Sequence, residues 1–129
     1  MEPVHSNFRE RKDIVSSSKH NLKESNHLNF ASVEAKIDNF STWIVGFDPD
    51  QLKNDLEKVI RDSGFTILNC MEHHYEPFGY TALWLLAESH CALHTFPEEN
   101  RTYIELSSCN RQMYADFLLI FNKSFEVIK

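Results

Sequence analysis

Thr81-Ala82-Leu83-Trp84-Leu85-Leu86-Ala87-Glu88-Ser89-His90-Cys91-Ala92-Leu93-His94-Thr95-Phe96-Pro97-Glu98 is the stretch on which the fold turns. Residues 81–87 are nearly all apolar, and so short an apolar run predicts a strand buried on both faces. The strand delivers Glu88-Ser89 at its end. Residues 90–96 predict the next strand, and the polar turn Pro97-Glu98-Glu99-Asn100-Arg101 leads into another over residues 102–108. Such short connections join antiparallel neighbours, because parallel strands need a long crossover.

Outward from this hairpin run, the pattern changes to helical on both sides. Asp48-Pro49-Asp50-Gln51 predicts a helix start: Asp48 can cap, Pro49 fits the first turn, and Gln51 stands where a capping box places it. Leu52, Leu56, Val59 and Ile60 then share one helical face, and Gly64 ends the helix. Phe65, Ile67, Asn69 and Met71 alternate with Thr66, Leu68 and Cys70, which predicts a strand before the loop Glu76-Pro77-Phe78-Gly79. Phe30, Val33, Ala35 and Ile37 suggest a first strand, which Trp43-Ile44-Val45 extends. Downstream, Met113, Phe117, Ile120 and Phe121 mark a second helix, followed by a tail at Val127-Ile128.

The resulting order, β-α-β-β-β-β-α, predicts an α+β fold in which an antiparallel sheet carries two helices on one face as a two-layer α/β sandwich. The 129 residues suffice for one domain with a core to which ten Phe contribute. Residues 1–28 are polar, with Ser16-Ser17-Ser18 and isolated apolar residues, and read as a flexible N-terminal extension. The domain proper is expected over residues 29–129.

Composition excludes several functions. A formal charge of -6 and a pI near 5.6 leave no basic footprint for nucleic acid or an anionic membrane surface. No apolar run approaches the roughly 18 residues needed to span a bilayer, and residues 1–12 lack the apolar core of a secretory signal. A cytoplasmic protein is the expectation. Cys70, Cys91 and Cys109 match neither a disulfide framework nor a zinc ribbon, so free thiols are expected. Three Gly provide no phosphate loop or dinucleotide fingerprint. His90 and His94 share a strand face about 13 Å apart, too far to ligate one zinc ion at roughly 2.3 Å, so no metal site is expected.

What remains is an ordered set of reactive groups. A serine hydroxyl follows a carboxylic residue at Glu88-Ser89, and His94, Glu98 and Cys109 come after it. Singly, each has a plain reading: a turn dipeptide, a sheet histidine, a small buried thiol. A serine hydroxyl is a poor nucleophile until a base or strain activates it. In a chain that cuts itself, it attacks the preceding carbonyl to give an ester, β-elimination breaks that ester, and the dehydroalanine left behind hydrolyses to a pyruvoyl group.

Taken together and in order, the Glu-Ser-His run, the His-Thr-aromatic-Pro-Glu run and the downstream Cys resemble the active-site motif of the small prokaryotic S-adenosylmethionine decarboxylases. The resemblance implies cleavage between Glu88 and Ser89, with Ser89 becoming the pyruvoyl cofactor. That group would join the substrate amine as a Schiff base and accept the electrons released with carbon dioxide. His94 matches the histidine that assists processing, and Thr81 stands where a hydroxyl residue, usually Ser, steadies the intermediate. Cys109 matches the thiol that returns a proton to the decarboxylated carbon. Glu98 matches the carboxylate that holds the ribose, and Tyr75 and Phe96 the aromatics that stack on adenine. The product would be the aminopropyl donor for spermidine synthesis.

Geometry adds a constraint. In a straight strand, His94 lies about 16 Å from Ser89, so the two cannot meet within one extended segment. The resemblance implies a homodimer of processed units in which Ser89 and Cys109 of one protomer meet Thr81 and His94 of the other. Several positions depart from the family pattern. Asn100-Arg101-Thr102 replaces a common Gly-Tyr-Ala, Glu105 replaces an Asp, Asn110 replaces a Gly, and the chain stops about twenty residues after Cys109, where a terminal strand is expected to be missing. Two alternatives follow: decarboxylation of an amino acid such as arginine or ornithine, and a non-catalytic homologue that binds a nucleoside or a partner decarboxylase.

Overall fold

A computed structural model describes the backbone of His5–Lys12 and of residues 34–129, with side chains from Lys36 onward. The chain runs β1 (His5–Lys12), β2 (Glu34–Val45), α1 (Pro49–Asp62), β3 (Ile67–His74), β4 (Tyr80–Leu86), β5 (Ser89–Phe96), a 3-10 turn (Pro97–Glu99), β6 (Arg101–Ser108) and α2 (Arg111–Ser124). All six strands join one antiparallel sheet in the order β1-β2-β6-β5-β4-β3. From β2 onward this is the expected α+β order. The expected start of the first strand at residues 29–33 lies outside the described residues.

The helices cover one sheet face because their apolar stripes have a matching surface there. Leu52, Leu56, Val59 and Ile60 of α1, with Tyr114, Phe117 and Phe121 of α2, pack on Phe40, Ile44, Trp84, Leu86, Leu93, Ile104 and Leu106 of the sheet. Each such side chain contributes about 1.5–3 kcal/mol when taken out of water. Edge-on ring contacts, Phe40 to Phe117 at 5.9 Å and Phe40 to Phe121 at 5.2 Å, fix how α2 sits. A polar seam ties α1 to the strands beneath it. Trp84 Nε1 donates to Glu57 at 2.9 Å, Tyr80 donates to Glu72 at 2.6 Å, and Lys53 pairs with Glu72 at 3.2 Å. The Tyr80 hydroxyl and Lys53 hold the Glu72 carboxyl below its ordinary range.

Three expectations are corrected. The β4 run is not buried on both faces: Tyr80, Ala82, Trp84 and Leu86 enter the core, whereas Leu83 is 42% and Leu85 54% exposed. The helices cover one side only, so among the described residues the opposite side of the sheet stays open. The capping box at α1 also fails to form. Pro49 does occupy the first turn, but Asp48 makes no side-chain cap bond, and its carbonyl accepts from Leu52 N at 3.0 Å instead. Finally, β1 occupies residues assigned to a flexible extension, its backbone paired with β2 from His5↔Ser41 to Lys12↔Glu34. Ladder hydrogen bonds need no apolar alternation, which is why this polar stretch carried no strand signal. The rest of residues 1–28 lies outside the described residues.

Gly64 ends α1 as expected. At φ +100 it occupies the left-handed region, and its N–H closes on Arg61 O at 2.9 Å.

One buried group in the sheet is poorly served. Thr95 is 6% exposed, and its hydroxyl has no hydrogen-bond partner among the described residues. An unsatisfied buried hydroxyl costs about 1–3 kcal/mol. Thr95→Val removes it at nearly constant volume and is expected to raise the melting temperature by about 4 °C in a calorimetric scan. A fall would mean that the hydroxyl is satisfied in solution.

Candidate active site

Ser89 opens β5 directly after the two-residue turn Ala87-Glu88. It pairs across to Leu86 on one side and Ser108 on the other, and is half-buried. Glu88 has φ +60, a left-handed conformation that L-residues other than Asn and Asp adopt rarely. The peptide bond between Glu88 and Ser89 therefore lies at a sharp reversal in the chain, where strain at a reactive position is expected to collect.

The register Ser89↔Ser108 sets Cys109 one residue beyond the end of the neighbouring central strand, at the same end of the strands as Ser89. Cys109 is exposed, just ahead of α2. Ser108 fixes the chain around it: its hydroxyl donates to Asn110 O and accepts from Asn110 N, both at 3.0 Å. Asn110, which departs from the family glycine, serves as the N-cap of α2 by accepting from Met113 N at 2.9 Å. Burial pushes the ionisation of the Cys91 and Cys70 thiols upward.

Thr81 and His94 face each other across β4 and β5 on the open side of the sheet, with Thr81 Oγ1 2.8 Å from His94 Nδ1. Five residue steps of extended strand lead from Ser89 to His94, about 16 Å, so one chain does not bring them together. Tyr103 of β6 is the register partner of His94 on the other flank, and the two rings stack at 6.5 Å with an interplanar angle of 25°.

The residues expected to hold substrate come from the β3–β4 connection, the end of β5 and the 3-10 turn. Glu98 is exposed in the 3-10 turn. Phe96 packs against Trp43 at 5.3 Å on the open face, beside Arg101, whose guanidinium lies 4.0 Å over the Trp43 ring. Tyr75 is exposed beyond the end of β3, its ring 4.5 Å from His73. It lines a cleft of about 380 Å³ with Phe47, Phe78, Thr95 and Pro97, and Phe96 is not among the lining residues. Sequence reasoning missed Trp43, Arg101 and Tyr103. Their only signal is strand register, which no local pattern prints.

The open face is apolar beyond the histidine. Met71, Leu83, Leu85, His90 and Ala92 line a shallow hollow of about 360 Å³, and Met71 is 64% exposed. Among the described residues, no three His, Cys, Asp or Glu side chains gather as a metal-binding group, and no helix is long and apolar enough to cross a membrane.

Known proteins resemble this chain in both sequence and fold. It is 38% identical to an S-adenosylmethionine decarboxylase proenzyme of Prochlorococcus marinus (strain MIT 9313) over 61 residues, 47% of this chain and 49% of that one. It is 31% identical to the proenzyme of Brevibacillus brevis over 86 residues, 60% of this chain and 65% of the relative. The chain thus spans about half the length of the first of these relatives and just under two thirds of the second. The adenosylmethionine decarboxylase of Aquifex aeolicus shares the fold, with a TM-score of 0.54 at 21% identity over 68% of this chain and 78% of that one. The family description "S-adenosylmethionine decarboxylase" matches residues 45–127, most of the described domain, and on that match the chain belongs to the S-adenosylmethionine decarboxylase family.

Proposed function

We propose that the protein is a proenzyme that cuts itself between Glu88 and Ser89 and then decarboxylates S-adenosylmethionine, supplying the aminopropyl donor for spermidine synthesis in the cytoplasm. The observation that carries this reading is the Thr81–His94 hydrogen bond at 2.8 Å, made on the open face by two residues that the family motif assigns to processing. A sheet histidine needs no such partner for packing alone.

Ser89 fits conversion to a pyruvoyl group. It stands at a left-handed turn, half-buried beside Ser108, and the cut would fall on the turn rather than inside a ladder. In processing, Ser89 Oγ attacks the Glu88 carbonyl carbon and the peptide nitrogen leaves, giving an ester. His94, its Nδ1 held by Thr81, takes the α-proton of Ser89, and the Cβ–Oγ bond breaks to release the Glu88 carboxylate. Water then displaces ammonia. The pyruvoyl group supplies an electron sink for loss of carbon dioxide. Cys109 delivers a proton to the carbon that loses it, Glu98 accepts from the ribose hydroxyls, and Tyr75 and Phe96 offer ring faces to the adenine.

The assembly we propose is a homodimer of processed units joined through the open faces. Leu83, Leu85 and Met71 form an exposed apolar patch, and such patches mark interaction surfaces. The separation of about 16 Å between Ser89 and His94 requires a second copy to complete either site.

The test is intact mass on freshly purified protein, followed by carbon dioxide release from S-adenosylmethionine, arginine and ornithine. Two fragments splitting at Glu88/Ser89, with release from S-adenosylmethionine alone, are expected. Release from an amino acid would move the substrate, and a stable single chain of 15.1 kDa would leave a non-catalytic homologue.

A further inference from the structure

We infer that Tyr103 is a positioning residue for His94, a ring platform that orients the imidazole for proton transfer. This inference rests on the reading of His94 as the processing base. The imidazole is held from both flanks. On the β4 side Thr81 Oγ1 takes Nδ1 at 2.8 Å, which leaves Nε2 as the nitrogen available for a proton. On the β6 side the Tyr103 ring stacks on the imidazole at 6.5 Å and 25°, within the range of an offset stacked pair. One hydrogen bond leaves the ring free to rotate about it, and a stack on a second face removes that freedom.

Tyr103 can serve as a platform because it is itself fixed. Its hydroxyl donates to Glu105 Oε2 at 3.1 Å, and its ring lies 5.2 Å from Trp43 on the far side. Trp43 is in turn covered by the Arg101 guanidinium at 4.0 Å and by Phe96 at 5.3 Å. A row of four packed groups across β2, β6 and β5 thus ends at the imidazole. The groups facing His94 are Thr81 from β4 and Tyr103 from β6, and neither carries a charge at neutral pH. The platform acts through geometry, and the Glu105 carboxylate, opposite Ala92 in the register, is engaged by the Tyr103 hydroxyl.

The ring is the working part, so Tyr103→Phe keeps the function and Tyr103→Leu, which preserves apolar bulk but has no π face, loses it. The experiment compares both variants with the unaltered full chain by two measurements. The first is the rate of cleavage at Glu88/Ser89 by intact mass, and the second is the ¹⁵N and ¹H imidazole signals of His94 across a pH titration. Tyr103→Phe is expected to cleave within about twofold of the parent, and Tyr103→Leu about tenfold more slowly, with a changed ratio of the two imidazole tautomers. Equal rates and an unchanged His94 signature in Tyr103→Leu would overturn the inference. Should the parent chain fail to cleave, the processing reading falls, while the His94 signals still decide whether Tyr103 orients the ring.

Discussion

Ser89→Ala yields a single chain of 15.1 kDa that stays uncut on long incubation and releases no carbon dioxide from S-adenosylmethionine. The substitution removes one oxygen, and that oxygen is the only proposed nucleophile. Ser89 is half-buried at the first position of β5, where alanine leaves the ladder to Leu86 and Ser108 in place, so the fold is expected to persist with a stability change of about 0.5 kcal/mol. Cys109→Ala makes the informative contrast. Cys109 is exposed and lies outside the Thr81–His94 pair, so the chain is cut as before, and only turnover falls, by about 10²- to 10⁴-fold as for a lost general acid. Cleavage in Ser89→Ala would sink the proposed chemistry. Loss of cleavage in Cys109→Ala would move the thiol from turnover into processing.

Charging the open face should be nearly as damaging. Leu83→Glu combined with Leu85→Glu places two carboxylates where a second copy is proposed to dock, and is expected to give monomers by sedimentation. Because Ser89 and His94 of one chain lie about 16 Å apart, the monomer has no base beside its serine, and cleavage slows by about 10²-fold or more. Both leucines point away from the core, so unfolding does not explain the loss. A mixing experiment sharpens the result. Ser89→Ala and His94→Ala are each expected to be inactive alone. Random pairing on co-expression makes about half of the dimers mixed, and one of two sites in each mixed dimer is complete, so about a quarter of the sites recover. Absence of recovery in mixed dimers, or cleavage at full rate in the charged monomer, would dismiss the shared site.

How far the sequence could be read depended on whether a feature was local. Helix α1 was legible because Pro49 marks the first turn and Leu52, Leu56, Val59 and Ile60 repeat at helical spacing, and its Gly64 stop was equally plain. Strands β5 and β6 and the order of the elements from β2 onward were legible for the same reason. The β4 run misled because an apolar residue on an open sheet face looks the same in sequence as one in the core. Leu83 and Leu85 differ from Trp84 and Leu86 only in which side the helices cover. Among the site residues, Thr81 and His94 came from a motif match, but their contact depends on the β4–β5 register. Tyr103 had no motif to announce it and became visible only once β6 was aligned against β5. Asn110 read as a departure at a family glycine, whereas its side chain makes the cap of α2.

The strand order β1-β2-β6-β5-β4-β3 has a consequence for the lifetime of the product. A cut at Glu88/Ser89 separates β1 to β4 from β5, β6 and α2, yet the two pieces are interleaved. The C-terminal piece lies in the middle of the sheet, with β6 against β2 and β5 against β4 of the other piece. Neither piece can leave without opening two ladders and the core beneath α2 at once. The nicked molecule therefore holds together through noncovalent contacts alone, but unfolding now releases two chains that must find each other again. Renaturation of the cut molecule would pass from a concentration-independent event to a bimolecular one, so the proposed maturation would turn a refoldable protein into one that is, at low concentration, effectively folded once.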